Sequence, residues 1–180
     1  MITTKQDLKK YLKADKLANG RKRVFPMPFD YVWRFLIALR YCEYYQNRKG
    51  IFKVFYFFWK WRYIHYSIKC GYDIGLNSCG MGLQLGHRGN IIISKDAHVG
   101  DWCRIHVGVN IGATTWIGDR VYIGPGAKFF GAAKVPDDVA VGANSVVNKE
   151  FVEKGVTIAG IPAKKVGEKS SAWLLKSNLV

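Results

Sequence analysis

The 180-residue chain predicts a mainly β fold: a parallel β-solenoid over residues 71–167, preceded by a basic, aromatic-rich α-helical region over 1–70 and followed by a tail at 168–180. Three observations carry this. Apolar residues stand at Val99, Ile105, Ile111, Ile117, Ile123, Phe129, Val135, Val141 and Val147, nine consecutive steps of six. Four residues after each of the first eight comes a small or β-branched residue: Cys103, Val109, Thr115, Val121, Ala127, Ala133, Val139 and Ser145. Before residue 71 this period is absent and apolar residues take helical spacing instead.

In the helical region, Thr4 followed by Asp7 fits a capping box, and Asn19-Gly20 is a stop signal. Pro26 and Pro28 punctuate the chain before a second helix with Val32, Phe35, Leu36, Leu39 and Cys42 on one face, which Gly50 ends. A third segment continues with Ile51, Val54, Phe55 and Phe58, with Lys53 and Lys60 on another face. Two readings of this aromatic density stay open: a core shared by packed helices, extending to a subunit interface, or a surface that rests on anionic lipid headgroups.

From residue 71, each six-residue unit reads as one short strand and a corner. The bulky residue points inward, and the Gly that often follows it (Gly100, Gly112, Gly118, Gly124, Gly142) accommodates the turn. One unit cannot bury its own apolar face, so units must stack into a continuous core. Chance is a poor alternative. If half of all residues counted as apolar, nine hits in a row would arise about one time in 500.

Charge divides the chain in the same place. Residues 1–70 hold 16 Lys/Arg against 4 Asp/Glu, a net of +12, and residues 71–180 hold 12 against 9, a net of +3. The first ten residues are too polar for a secretory signal, and the apolar stretch from Phe29 to Tyr66 is broken by cations that include Arg34, Arg40, Lys53, Lys60 and Arg62. Cys42, Cys70, Cys79 and Cys103 form no paired motif and read as free thiols. These features point to a cytoplasmic protein. Nucleic-acid binding would rest on net charge alone, since no recognition motif accompanies it.

The repeat [Ile/Val]-Gly-x-x-[small]-x resembles that of the hexapeptide-repeat acyltransferases. Five pieces carry the resemblance: Asp73-Ile-Gly, Gly80-Met-Gly-Leu-Gln-Leu-Gly-His87, Ile123-Gly-Pro-Gly-Ala-Lys128, Gly142-Ala-Asn-Ser-Val-Val147 and Ala159-Gly-Ile-Pro-Ala-Lys-Lys165. Within that family, residues 70–167 are similar to the serine acetyltransferase-like branch, which includes capsular and exopolysaccharide O-acetyltransferases. The resemblance implies a left-handed β-helix with three hexapeptides per coil and acetyl-CoA as donor. It also implies homotrimers, which pair in some members, with active sites in clefts between neighbouring solenoids.

Acyl transfer from a thioester to a hydroxyl needs a base for the hydroxyl proton and a donor for the charge developing on the thioester oxygen. An imidazole suits the first task. His87 stands where the six-residue register expects an apolar residue between Met81 and Ile93, and such a break in pattern marks a candidate functional position. The resemblance makes His87 the catalytic base and Asp73 the carboxylate that orients it, with a spacing one residue shorter than in the serine enzymes. His106, 19 residues after His87, would stack on Arg88 in an 18-residue coil, so both are candidate substrate contacts. His98 falls at a corner and His65 among the helical aromatics. For CoA, the resemblance places Gly126, Ala143, Asn148 and Lys149 along the pantetheine arm and Lys164 and Lys165 near the phosphates.

The serine enzymes interrupt their later coils with a loop carrying a second histidine. Here Ile111-Gly-Ala-Thr-Thr-Trp-Ile117 runs straight through, which favours an open cleft and a sugar or polysaccharide hydroxyl as acceptor. Serine O-acetylation is the alternative, followed by acetylation of an antibiotic hydroxyl. The histidine spacings of 22, 11 and 8 do not match the three-histidine zinc site of carbonic anhydrases on this fold, so no metal is expected. A non-catalytic scaffold or membrane-surface module is the reading from a different class.

Overall fold

The computed structural model describes residues 1–23, 26–48 and 53–175. Three helices come first: α1 (Lys5–Ala18), α2 (Tyr31–Gln46) and α3 (Lys53–Cys70). The Thr4 hydroxyl accepts from the Asp7 amide and the Asp7 carboxylate accepts from the Thr4 amide, which closes the predicted capping box. Asn19 caps the far end of α1, and Gly20 adopts φ +62°. Val32, Phe35, Leu36, Leu39 and Cys42 are all buried, as helical spacing requires. The stop predicted at Gly50, and Ile51 after it, lie outside the described residues.

From Tyr72 the chain winds through short parallel strands into three sheets. The first holds β1 (Tyr72–Ile74), β3 (Ile91–Ile93), β6 (Asn110–Ile111), β9 (Lys128–Phe129) and β12 (Val146–Val147). The second holds β4 (His98–Val99), β7 (Trp116–Ile117) and β10 (Lys134–Val135). The third holds β2 (Gln84–Leu85), β5 (Arg104–Ile105), β8 (Tyr122–Ile123), β11 (Ala140–Val141) and β13 (Thr157–Gly160), then β14 (Ala163–Gly167), which pairs antiparallel with β13. All nine period-six residues and all eight small partners are buried. Each large one stabilises the stack by roughly 1.5–3 kcal/mol.

The first coil departs from strict periodicity. Later coils repeat every 18 residues, as in the pairing of Ile93 with Ile111 and of Ile111 with Phe129. Leu85, however, pairs with Ile105 and Cys79 bridges Val99, both 20 residues apart. The inward positions are therefore Cys79 and Leu85, not 81 and 87, and the step from Leu85 to Ile93 spans eight residues. His87 does not replace a core residue. It sits exposed on a widened corner.

A solenoid needs its open end closed, because the last strand presents unpaired backbone groups. Here polar side chains of the helices close it. Arg40, fully buried, donates to Asp15 at 2.7 Å, to Glu43 at 3.0 Å, and to the carbonyls of Cys79 and Gly80 at 3.0 and 2.5 Å. Asp15 accepts from the Leu83 amide at 2.9 Å, and Glu43 accepts from the Asn77 amide at 2.8 Å. Asn19 completes the edge of β2, accepting from Leu85 and donating to the Leu83 carbonyl. Burial pushes the Asp15 and Glu43 carboxyls above their ordinary range, while Arg40 pulls against it.

At the other end the chain returns to the solenoid. The Ser171 amide donates to the Asp138 carbonyl at 2.9 Å, and Arg104 donates to the Leu174 carbonyl at 3.1 Å, where the short α4 (Ala172–Leu175) lies. Among the described residues, no helix is long and apolar enough to cross a membrane. Arg40→Met strands two buried carboxyls without their cation, and we expect a loss of about 3–5 kcal/mol in denaturant unfolding. An unchanged midpoint would contradict this role for Arg40.

Candidate active site

The widened corner Gly86–Asn90 is the most irregular part of the solenoid, and it is tied down by its backbone. The Tyr72 hydroxyl donates to the His87 carbonyl at 2.8 Å, and the Gly89 amide donates to the Cys70 carbonyl at 2.8 Å. The Arg88 guanidinium lies over the Tyr31 ring at 5.6 Å. These contacts hold the loop and leave the His87 imidazole exposed.

His106 lies one coil further, against Gly86 rather than Arg88 as an 18-residue coil would give. A Cβ at Gly86 would meet the His106 ring at 3.4 Å, an ordinary contact distance, so the imidazole packs directly against the loop. The 20-residue spacing of this coil causes the shift. The His87 and His106 ring centroids are 6.5 Å apart, and His106 lies 5.1 Å from the ring of Tyr122.

Burial lowers the His106 pKa, and the nearby Arg104 and His87 lower it further, so its imidazole is neutral at pH 7. Its Nε2 is buried, with no hydrogen-bond partner among the described residues. An orphaned buried nitrogen beside an exposed histidine is a place for a ligand's polar group. Sequence reasoning did not single out Tyr122. Its signal was its place 18 residues after Arg104, with which it pairs.

Asp73 sits on the outer face of β1, opposite Ile92. It lines a cleft of about 500 Å³ with Lys60, Tyr63, Ser67, Tyr72 and Asn90. Among the described residues, no hydrogen bond or ion pair joins it to His87, so an Asp–His dyad is not closed in the single chain.

The six residues considered for CoA fall in three places. Gly126 and Ala143 lie at the corners that lead from the third sheet to the first. Gly126 has φ +76°, in the left-handed region that favours glycine, and a Cβ there would require the Asn144 side chain to move. Asn148 and Lys149 follow β12, one corner further, with the Lys149 ammonium 5.4 Å from the Phe151 ring centroid. Lys164 and Lys165 are neighbours on β14, but Lys165 is paired with Glu153 at 2.6 Å and Glu168 at 2.8 Å. Lys164 has no such partner among the described residues.

Sequence comparison extends this geometry. A serine acetyltransferase of Mycobacterium tuberculosis is 34% identical over 97 residues, covering 49% of this chain and 42% of the relative. One from Helicobacter pylori is 37% identical over 95 residues, covering 48% and 55%. The solenoid is similar in sequence to those of serine acetyltransferases. The crystal structure of the Brucella abortus serine acetyltransferase in complex with coenzyme A matches with a TM-score of 0.66 and 25% identity, over 92% of this chain and 70% of that one. A second structure of the Brucella abortus protein gives a TM-score of 0.70 at 24% identity, a likeness of fold. No protein-family model matches the chain.

The chain spans about half the length of the curated relatives it matches. None of the relatives considered is named for a sugar acceptor, so the expectation of a polysaccharide role gains nothing from them, whereas the serine alternative does.

Because the folded state resists protonation of His106, stability should be fully present above its ordinary pKa of 6.5 and fall as pH drops below it. We expect His106→Gln to show a shallower acid slope in pH-dependent unfolding. An identical slope would mean that His106 titrates normally.

Proposed function

We propose that the chain is an acetyl-CoA-dependent O-acetyltransferase in which His87 is the general base. The observation that supports this best is the pairing of an exposed imidazole with a half-buried, neutral one whose Nε2 lacks a partner among the described residues, on a solenoid similar to those of serine acetyltransferases. In this proposal His87 takes the acceptor hydroxyl proton as the oxygen attacks the thioester carbonyl. CoA leaves as the thiolate and takes that proton from the His87 imidazolium to become the thiol, and the acetyl group ends as an ester. His106 positions the acceptor through a hydrogen bond to its unpaired nitrogen, and Arg88 lines the same loop. We assign Asp73 the orienting role, reached by a change at the Asn90 corner or supplied across a homotrimer interface that would also cover the exposed His87.

L-serine is the first acceptor to test, because it is what the relatives are named for. A second reading, a sugar hydroxyl, keeps one structural observation in its favour. The strands β6, β7 and β8 follow one another at strict six-residue intervals, with no insertion that would wall the site. CoA release from acetyl-CoA with L-serine and with a panel of mono- and oligosaccharides separates the two. His87→Ala should cost roughly 10²–10⁴-fold in rate with the true acceptor. Full activity in that variant would remove His87 from the role of base.

We assign the pantetheine arm to Gly126, Ala143, Asn148 and Lys149, and the CoA phosphates to Lys164 with Lys165 beside it. Lys165 is already neutralised by two carboxylates. Lys164→Glu should therefore raise KM for acetyl-CoA by more than Lys165→Glu, with kcat little changed. An equal or reversed order would place the phosphates elsewhere.

A further inference from the structure

The third helix is the least satisfied element of the molecule. Its inward face packs on α2 through Tyr56, Trp59, Tyr63 and Tyr66. Its outward face carries Val54, Phe57, Phe58, Trp61, Ile64 and Ile68, with Phe57 70% and Ile68 76% exposed. At 100° per residue these six fall within an arc of about 120°. Lys53 and Lys60 flank one side of that arc, Arg62 and Lys69 the other, and α3 contains no acidic residue. Large apolar side chains with cations on both borders fit a helix lying in a membrane interface.

A cleft of about 580 Å³ opens beside this face, between the three helices. Its floor is apolar, with Tyr41 stacked on Trp59 at 4.1 Å. Lys13, Lys16, Arg34 and Arg62 stand around it, and among the described residues none of the four is paired with a carboxylate. The Trp33 indole Nε1, in a residue 96% buried at the same cleft, has no hydrogen-bond partner among the described residues. Unpaired cations over an apolar floor suit the phosphate and the first acyl carbons of a lipid.

We propose that the outward face of α3 and this cleft dock the protein on a bilayer rich in anionic phospholipid. Charge selects this occupant over a second copy of the chain. Two-fold pairing through α3 would bring its four cations against the same four, whereas an anionic surface complements them. The helices sit against the first coil, so docking holds the His87 corner near the membrane. The docking does not depend on acyl transfer.

The test is flotation of the full chain with vesicles of phosphatidylglycerol and phosphatidylcholine, and with pure phosphatidylcholine. Wild type should float with the anionic vesicles only, and less as salt rises from about 0.1 to 1 M and the Debye length falls from about 10 to 3 Å. Phe57→Ser/Trp61→Ser, both solvent-exposed, should abolish flotation without changing the thermal midpoint. Lys13→Glu/Lys16→Glu should weaken it on the order of tenfold or more. Lipid-free CoA release should be unchanged in both, which keeps this test separate from that of the acetyltransferase reading. Absent or charge-independent flotation overturns the proposal, and so does full flotation of either variant. If Phe57→Ser/Trp61→Ser instead lowers the oligomeric mass of a protein that never floats, the face joins copies of the chain and the proposal is wrong.

Discussion

Closure of the first coil by Arg40, Asp15, Glu43 and Asn19 is the constraint on which the rest of the structure depends. The coils beyond it are self-similar and could begin at any of them. What defines the start is a set of buried side chains that take the places of the missing strand's amides and carbonyls. A buried ion network of this kind is a costly way to stabilise, since three charges leave water. Its gain is specificity. Arg40 reaches both Cys79 and Gly80 only when α2 stands in one place over the coil, and Asp15 meets Leu83 only when α1 does too.

That placement matters to the candidate site. The enlarged step from Leu85 to Ile93 begins at the edge strand the helices cover, and His87 lies at its crest. Tyr31 and Tyr72, from α2 and β1, hold the two residues His87 and Arg88 in the loop. The candidate residues fall on an irregular coil, whereas the regular coils bury what points inward and repeat what points outward. The irregularity is affordable at the end of the stack, where only one neighbouring coil has to match it.

The period of six made the solenoid legible, and helical spacing at Val32 to Cys42 made α2 legible, because both patterns report burial directly. The first coil was not legible in the same way. A strict period puts positions 81 and 87 inward. The two extra residues move that register to Cys79 and Leu85, and only strand pairing with Val99 and Ile105 shows it. His106 was correctly brought near His87 but set over Arg88, an error with the same origin. The ion network was invisible because its members lie 25 and 3 residues apart on two helices, with no periodic signal. The aromatic density of α3 was visible, but sequence spacing alone did not show that six of its large side chains would face outward. His65, expected to pack among them, is exposed and stacks on Trp61.

Hydrogen–deuterium exchange at the amides of Asn77, Leu83 and Leu85 tests the closure of the first coil most directly. These are edge amides that would exchange within the fastest class if no side chain met them. The structure predicts protection of all three at the level of the interior strands, lost at Leu83 and Asn77 when Asp15 and Glu43 are replaced by alanine and at Leu85 when Asn19 is. Fast exchange in the wild-type protein would show an open edge, and the helices would then not be what sets the His87 corner in place.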